Sequence, residues 1–283
     1  MDNEKDIEWL LSTRHDNGAD FWATTDKKIG IEKPVSTLTA LLLMSELELP
    51  KSHEAIQGAA NLALDSIQHD GRVKIAPKGS TYPCQSALVA LALLKNGYID
   101  DPRVVSVLSS LRENRYTDGG WRCNKFFFGH GPETEHSNPG VTLFALDAMR
   151  CANLHENTVE FDTAVETLLD HWTVRVPIGP CHYGMGTLFM QIEYPFLRYN
   201  LFYYVYVLSF YAKARSDVRF LEALDALRNK LDLQGRVVIE RPSKKLQHLN
   251  FCEKGKPSIQ ATRRYQEILE NLTKSTPGIL NQK

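Results

Sequence analysis

The chain has 283 residues, a formal net charge of −1, and 43% hydrophobic against 24% charged residues, an ordinary globular composition with enough apolar mass for a core. The near-neutral balance excludes a global field that would recruit nucleic acid or an acidic membrane surface. No apolar run reaches the roughly 18 residues of a membrane span, and five scattered cysteines fit a reducing, cytoplasmic setting better than a disulfide framework.

The acidic opening Met1–Asp6 lacks the basic and apolar regions of a signal peptide. From there, two kinds of segment alternate. The amphipathic kind comprises Ile7–Thr13, His53–Ile67, Pro102–Asn114, Val159–His171 and Val218–Leu231, with apolar residues at helical spacing. The second kind is apolar nearly all round and follows a proline: Val35–Leu47 after Pro34, Cys84–Lys95 after Pro83, Val141–Cys151 after Pro139, Leu197–Ala212 after Pro195, and Ile259–Leu272 after Pro257. Proline is tolerated at a helix start because the first-turn N–H groups have no intrahelical partner, and a helix apolar on every face belongs inside a fold.

Each amphipathic segment ends near a glycine turn, at Gly18, Gly71, Gly119-Gly120, Gly179 and Gly235. Glycines and prolines both recur at about 50–60 residues, which is the mark of one repeated supersecondary unit. The unit is an outer helix, a glycine turn, an irregular loop, a proline and an inner helix. Five such outer–inner hairpins predict an all-α fold: an α/α toroid, as an incomplete or five-pair α/α barrel, in a single domain over residues 1–283. A generic α-solenoid is the competing architecture.

Asp118-Gly119-Gly120-Trp121 resembles the glycine–tryptophan turn of squalene and oxidosqualene cyclases and of protein prenyltransferase β subunits. Trp9-Leu10-Leu11, Asn138-Pro139-Gly140-Val141-Thr142-Leu143 and Gly255-Lys256-Pro257-Ser258 are similar to a shorter bacterial squalene-cyclase-like, or prenyltransferase-like, group. The resemblance spans nearly the whole chain at the level of repeats and implies the terpenoid cyclase/prenyltransferase toroid. Its motifs specify the fold far more than an activity. The chain lacks the Asp-x-Asp-Asp run that supplies the cyclase acid, so protonation-driven cyclisation is not expected.

The repeat gathers all five loops and the first turns of the inner helices at one end, the mouth. Ligand-binding candidates there are Cys84, Gln85, Trp121, Arg122, Cys123, His130, His136, Cys181, His182, Tyr183, Arg198, Tyr199 and Tyr203. Protein prenyltransferases hold a catalytic zinc at this end, and the resemblance implies the zinc candidates Cys123, His136, Cys181 and His182. Against that stand the absence of compact ligand spacing and the ordinary role of such residues as buried fillers and loop-bonding groups. Helix N-termini with Arg122, Lys125, Arg198 and Arg263 suit an anion, unless neighbouring glutamates pair with them. The aromatic residues from Phe189 to Tyr211 either line a cavity for an isoprenoid or other apolar ligand or form plain core. Two function classes follow: an isoprenoid-related enzyme or binding protein, and a non-catalytic scaffold for a protein or peptide partner.

Overall fold

The structure, a computed structural model, describes residues 3–123, 132–156 and 158–274. Among these residues all extended regular structure is helical, in the order α1 (Glu4–Ser12), α2 (Thr37–Glu46), α3 (Glu54–Asp65), α4 (Pro83–Lys95), α5 (Pro102–Glu113), α6 (Pro139–Cys151), α7 (Asp162–Val174), α8 (Leu201–Leu208), a single turn α9 (Ala212–Arg215), α10 (Val218–Arg228) and α11 (Ile259–Thr273). No described helix is long and apolar enough to cross a membrane.

Outer and inner roles follow from burial. In α5 the buried residues are Val104, Val107, Leu108 and Leu111, one stripe at helical spacing. In α8 every residue from Leu201 to Leu208 is buried. The inner series α2, α4, α6, α8 and α11 is contiguous, each packing on the next, while α3, α5, α7 and α10 cover them. Pro83 and Pro139 take the first positions of α4 and α6, and Ser36, Asn200 and Ser258 cap α2, α8 and α11 by accepting N–H bonds from Thr39, Tyr203 and Ala261. The single helix expected over Leu197–Ala212 is shorter. Its start is set by the Asn200 cap, and beyond Ser209 the chain turns before α9 because Tyr211 is extended.

The five turn glycines share a left-handed backbone, with φ of 101°, 77°, 88°, 73° and 73° at Gly18, Gly71, Gly119, Gly179 and Gly235. At Gly71 a Cβ would lie 2.2 Å from the Ser106 carbonyl of α5, and at Gly119 2.2 Å from Thr163 Oγ1 of α7. The turn therefore packs directly on the next outer helix, which couples successive repeats. Trp121 locks its own turn: the buried indole N–H donates to the Leu111 carbonyl of α5 at 2.9 Å.

The C-terminal ends of α2, α4 and α6 meet the first half of α11 in a buried ionic network. Lys95 of α4 pairs with Glu46 of α2 at 3.2 Å, and Arg264 of α11 donates to the same carboxylate at 2.8 Å, with the Tyr194 hydroxyl as a further donor. In α6, Arg150 pairs with Asp147, which also accepts from Tyr203 at 2.8 Å. Arg264 links on to Glu267, and the Tyr206 hydroxyl donates to Glu267 at 2.6 Å. The last inner helix thus closes back on the first, assisted by Arg263 to Glu48 at 2.6 Å and by the Asn250 N–H to Asp6 at 2.8 Å.

Candidate ligand site at the loop end

Above this network the aromatic set is packed solid. Phe196 stacks on Tyr203 and Tyr206 with centroids 4.8 and 4.9 Å apart, and Phe202 meets Phe196 at 4.9 Å. Tyr203, Tyr204, Phe202 and Tyr194 have no exposed surface. Of the two sequence readings, lined cavity or plain core, the packing is that of core: the rings fill one another's space, and the hydroxyls are consumed by Asp147, Glu46, Glu267 and the Leu168 carbonyl. Tyr203, taken as a ligand contact, is core. Trp121 likewise is buried in its turn rather than presented to a ligand.

Chemistry-bearing residues do converge at the other end, around the first turns of α4 and α6. Cys84 sits in the first turn of α4 with its Sγ 3.9 Å from that of Cys123. Cys123 is placed by its N–H, which donates to Asn138 Oδ1 at 2.7 Å just ahead of α6. The adjacent Cys123 thiol, then burial, then Cys181 hold the Cys84 thiol far above the ordinary cysteine range. Burial and the same three thiols push the Tyr183 phenol up to about 12. The Tyr183 ring closes over Gly140, where a Cβ would come within 2.6 Å of it, so only glycine admits that contact. This is a cluster of thiols and a phenol in which Cys84, with its pKa raised, lacks the character of a cysteine nucleophile.

Beside it Tyr199 lies tilted against Phe189 at 4.9 Å and bonded to His171 Nδ1 at 2.9 Å. His171 Nε2 is 3.1 Å from the Val176 carbonyl, which fixes it as the N–H donor and leaves Nδ1 to accept the Tyr199 proton. Burial lowers this histidine to about 4, so the ring is neutral near pH 7. His171 was not singled out from sequence. It sits in the last turn of an outer helix, where a histidine reads as a helix terminator.

The other candidates disperse. His136 and His182 are exposed. Arg122 donates to the Tyr116 hydroxyl at 2.7 Å and pairs with Glu135 at 3.3 Å, while its buried Nε has no partner. Arg263 is engaged by Glu48 at the opposite end of α2, so it is not part of the mouth. His130 and Lys125 lie outside the described residues. Among the described residues no group of three or more His, Cys, Asp or Glu side chains is placed to hold a metal ion, so the zinc set Cys123, His136, Cys181 and His182 does not fit that role. The physical reason is separation: the thiols turn inward and both histidines outward.

Several clefts open on the loop end, and two bear on the candidates. One, of about 350 Å³, lies at the start of α4 between Tyr82, Tyr116, Arg72, Arg115 and Arg122. The second, about 840 Å³, lies between residues 191–198 and 240–254 and is lined by Arg198, Arg241, Lys244, Lys245 and Lys254. Of the second set only Arg198 was picked from sequence. The short basic run Arg241-Pro242-Ser243-Lys244-Lys245, in a loop opening onto the last inner helix, was the available signal. Buried polar atoms without hydrogen-bond partners also gather in these loops: Asn17 Oδ1, Gln85 Oε1, Arg122 Nε, Asn138 Nδ2 and Glu193 Oε1. Compared with known protein families and with curated proteins, the chain matches none of them.

Proposed function

We propose that this chain is an α/α toroid of the terpenoid cyclase and prenyltransferase type that binds its ligand at the loop end and keeps its centre filled. The observation that carries this reading is the solid aromatic core. Tyr194, Phe202, Tyr203 and Tyr204 are fully buried against one another and against the ionic network, leaving a chain-like substrate no space among them. Clefts, the unsatisfied atoms of Asn17, Gln85, Arg122, Asn138 and Glu193, and the thiol–phenol cluster sit at the opposite end. The five glycine turns and proline-led inner helices support the family likeness, and the missing Asp-x-Asp-Asp run agrees with binding rather than cyclisation.

A photoreactive isoprenoid bearing an alkyl diazirine tests this directly, with labelled peptides mapped after irradiation. Labelling of 79–86, 117–123 or 178–199 supports the reading. Labelling of Phe202, Tyr203 or Tyr206 in α8 overturns it and returns the ligand to the centre.

A second reading is a scaffold for a protein partner. It draws on the exposed apolar side chains Val174, Val176 and Leu188, at 53%, 54% and 59% exposure. These sit on one loop held together by the Met185 N–H bond to the Arg175 carbonyl at 2.9 Å.

A further inference from the structure

The larger loop-end cleft gathers cations whose acidic neighbours are taken or shared. On the outer helices, by contrast, Arg219 reaches Glu166, Asp170 and Asp217, and Arg112 makes a two-pronged contact with Glu160. In the cleft the acids are the ones already taken. Glu240 accepts from Lys230 at 2.9 Å and from the Ile192 N–H at 2.7 Å, and Glu253 pairs with Lys256 at 3.0 Å. Lys245 is held by Glu32 at 3.3 Å. The ammonium groups of Lys244 and Lys254 have no ion pair or hydrogen bond among the described residues.

Arg198 and Arg241 share one counter-charge, Glu193, at 3.6 and 3.8 Å, both longer than a hydrogen bond. The Glu193 side chain is 3% exposed, and its Oε1 receives no hydrogen bond. Burial raises this carboxyl above the usual carboxylate range, with Arg198 and Arg241 only partly opposing. It is therefore a weak partner for two guanidinium groups, whose planar donor forks remain available to the cleft. The walls are fixed by backbone: the Glu240 and Arg241 N–H groups both donate to the Ile192 carbonyl at 3.0 Å, and Ile239 N–H donates to Lys256 at 3.1 Å.

We infer that the cleft between residues 191–198 and 240–254 binds a small molecule bearing two or more anionic groups, gripped by Arg198, Arg241, Lys244 and Lys254. This deepens the loop-end reading above and rests on it. The volume of about 840 Å³ falls in the range of small-molecule sites, roughly 300–1,000 Å³, and argues for a bounded ligand over an extended polymer. Two or more anionic groups are needed because Arg198, Arg241, Lys244 and Lys254 all line the cleft, while Glu240 and Glu253 are taken by Lys230 and Lys256 and Glu193 is shared by two arginines beyond hydrogen-bond range. A neutral apolar ligand would leave those cations desolvated and unpaired. Phosphates and carboxylates both offer the clustered anionic oxygens that guanidinium forks match.

The test is calorimetric titration of the full chain with three probes: inorganic tripolyphosphate, citrate and a hexaglutamate peptide. At low salt the expected result is saturable binding of tripolyphosphate or citrate, weakening steeply as ionic strength rises. The pair Arg241→Ala with Lys244→Ala should weaken that binding by roughly tenfold or more. Arg72→Ala with Arg115→Ala in the smaller cleft should change it less than about twofold, a factor well below the roughly 1.4 kcal/mol of a decade. Removing the competing carboxyl with Glu193→Gln should tighten it. Unchanged unfolding midpoints certify that the variants fold; the replaced cationic side chains are at least partly exposed, and Glu193→Gln keeps the shape of the buried side chain.

No binding of either small anion, or equal binding by wild type and the Arg241/Lys244 variant, overturns the inference. Tighter binding of hexaglutamate than of both small anions overturns the small-molecule class. Failure here with diazirine labelling still on the loops would leave the loop-end reading standing, so the two outcomes are separable.

Discussion

The two ends of the inner helices are built from opposite chemistry. At their C-terminal ends, charges are buried and completed: Glu46 with Lys95, Arg264 and Tyr194, and Asp147 with Arg150 and Tyr203. Cations in the last turns of α4 and α6 also suit the negative ends of those helices. At their N-terminal ends the buried groups are thiols, phenols and a neutral histidine, polar atoms go unpaired, and the free cations face clefts. One end is dominated by ion pairs that satisfy each other, with His155 Nδ1 and Arg215 Nε the unpaired atoms beside it. The other holds clefts and more of the interactions left open. That contrast separates what holds the fold from what is offered to a ligand.

The comparison breaks most severely at the closed end. Arg264→Ala leaves the buried Glu46 carboxylate with Lys95 as its one cation and Tyr194 as its other donor, and is expected to cost about 3–5 kcal/mol, read from urea denaturation. Arg122→Ala at the open end serves as its counterpart and should cost under about 1 kcal/mol. Equal losses would dissolve the distinction. Gly71→Ala comes next, because it combines a left-handed φ with a clash against the Ser106 carbonyl; a loss of about 1–3 kcal/mol is expected, again from the denaturation midpoint.

Acid sharpens the same contrast through two windows. Burial opposes charge on Glu46, yet Lys95 and Arg264 prevail and hold it down to about 2, so its folded value lies below its unfolded one near 4.5. Its contribution is present above pH 4.5 and is lost as pH falls towards 2. His171 is depressed by burial to about 4 against 6.5 unfolded, so the unfolded chain binds the extra proton first. Stability is therefore also lost as pH falls from 6.5 to about 4, and His171→Gln should flatten that upper window in urea midpoints measured against pH while leaving the lower one. The smallest effect belongs to the thiols. With its pKa raised, Cys84 should alkylate with iodoacetamide at pH 7 more slowly than free cysteine. Cys84→Ser should shift stability by less than about 1 kcal/mol.

The helix hairpins were legible because their signals are local. A proline at a first turn, a glycine needing positive φ and an apolar stripe are each decided within a few residues. The Asp118–Trp121 turn carries all of this in four positions. What could not be read was how distant side chains share space. Leu201–Leu208 has the same composition whether its rings line a cavity or fill a core, and only the positions of Phe196, Asp147 and Glu267 decide it. Glu46 and Arg264 are 218 positions apart, and no periodicity announces their pairing. The same holds at the open end. Cys84 and Cys123 meet across 39 positions, whereas His136 and His182, equally plausible in sequence, face water.

The contact between Arg264 and Glu46 also removes something that linear repeat arrays possess: an end. In an open solenoid the terminal units have one neighbour each, need polar caps and fray first. Here side chains and backbone of the last hairpin and its preceding loop reach the first through Asp6, Glu46 and Glu48, which ties the two terminal repeats to each other. Fraying of either terminal repeat must then break those ties. Melting should proceed as one cooperative transition across the repeats, and trimming α11 should loosen the first repeat as much as the fourth.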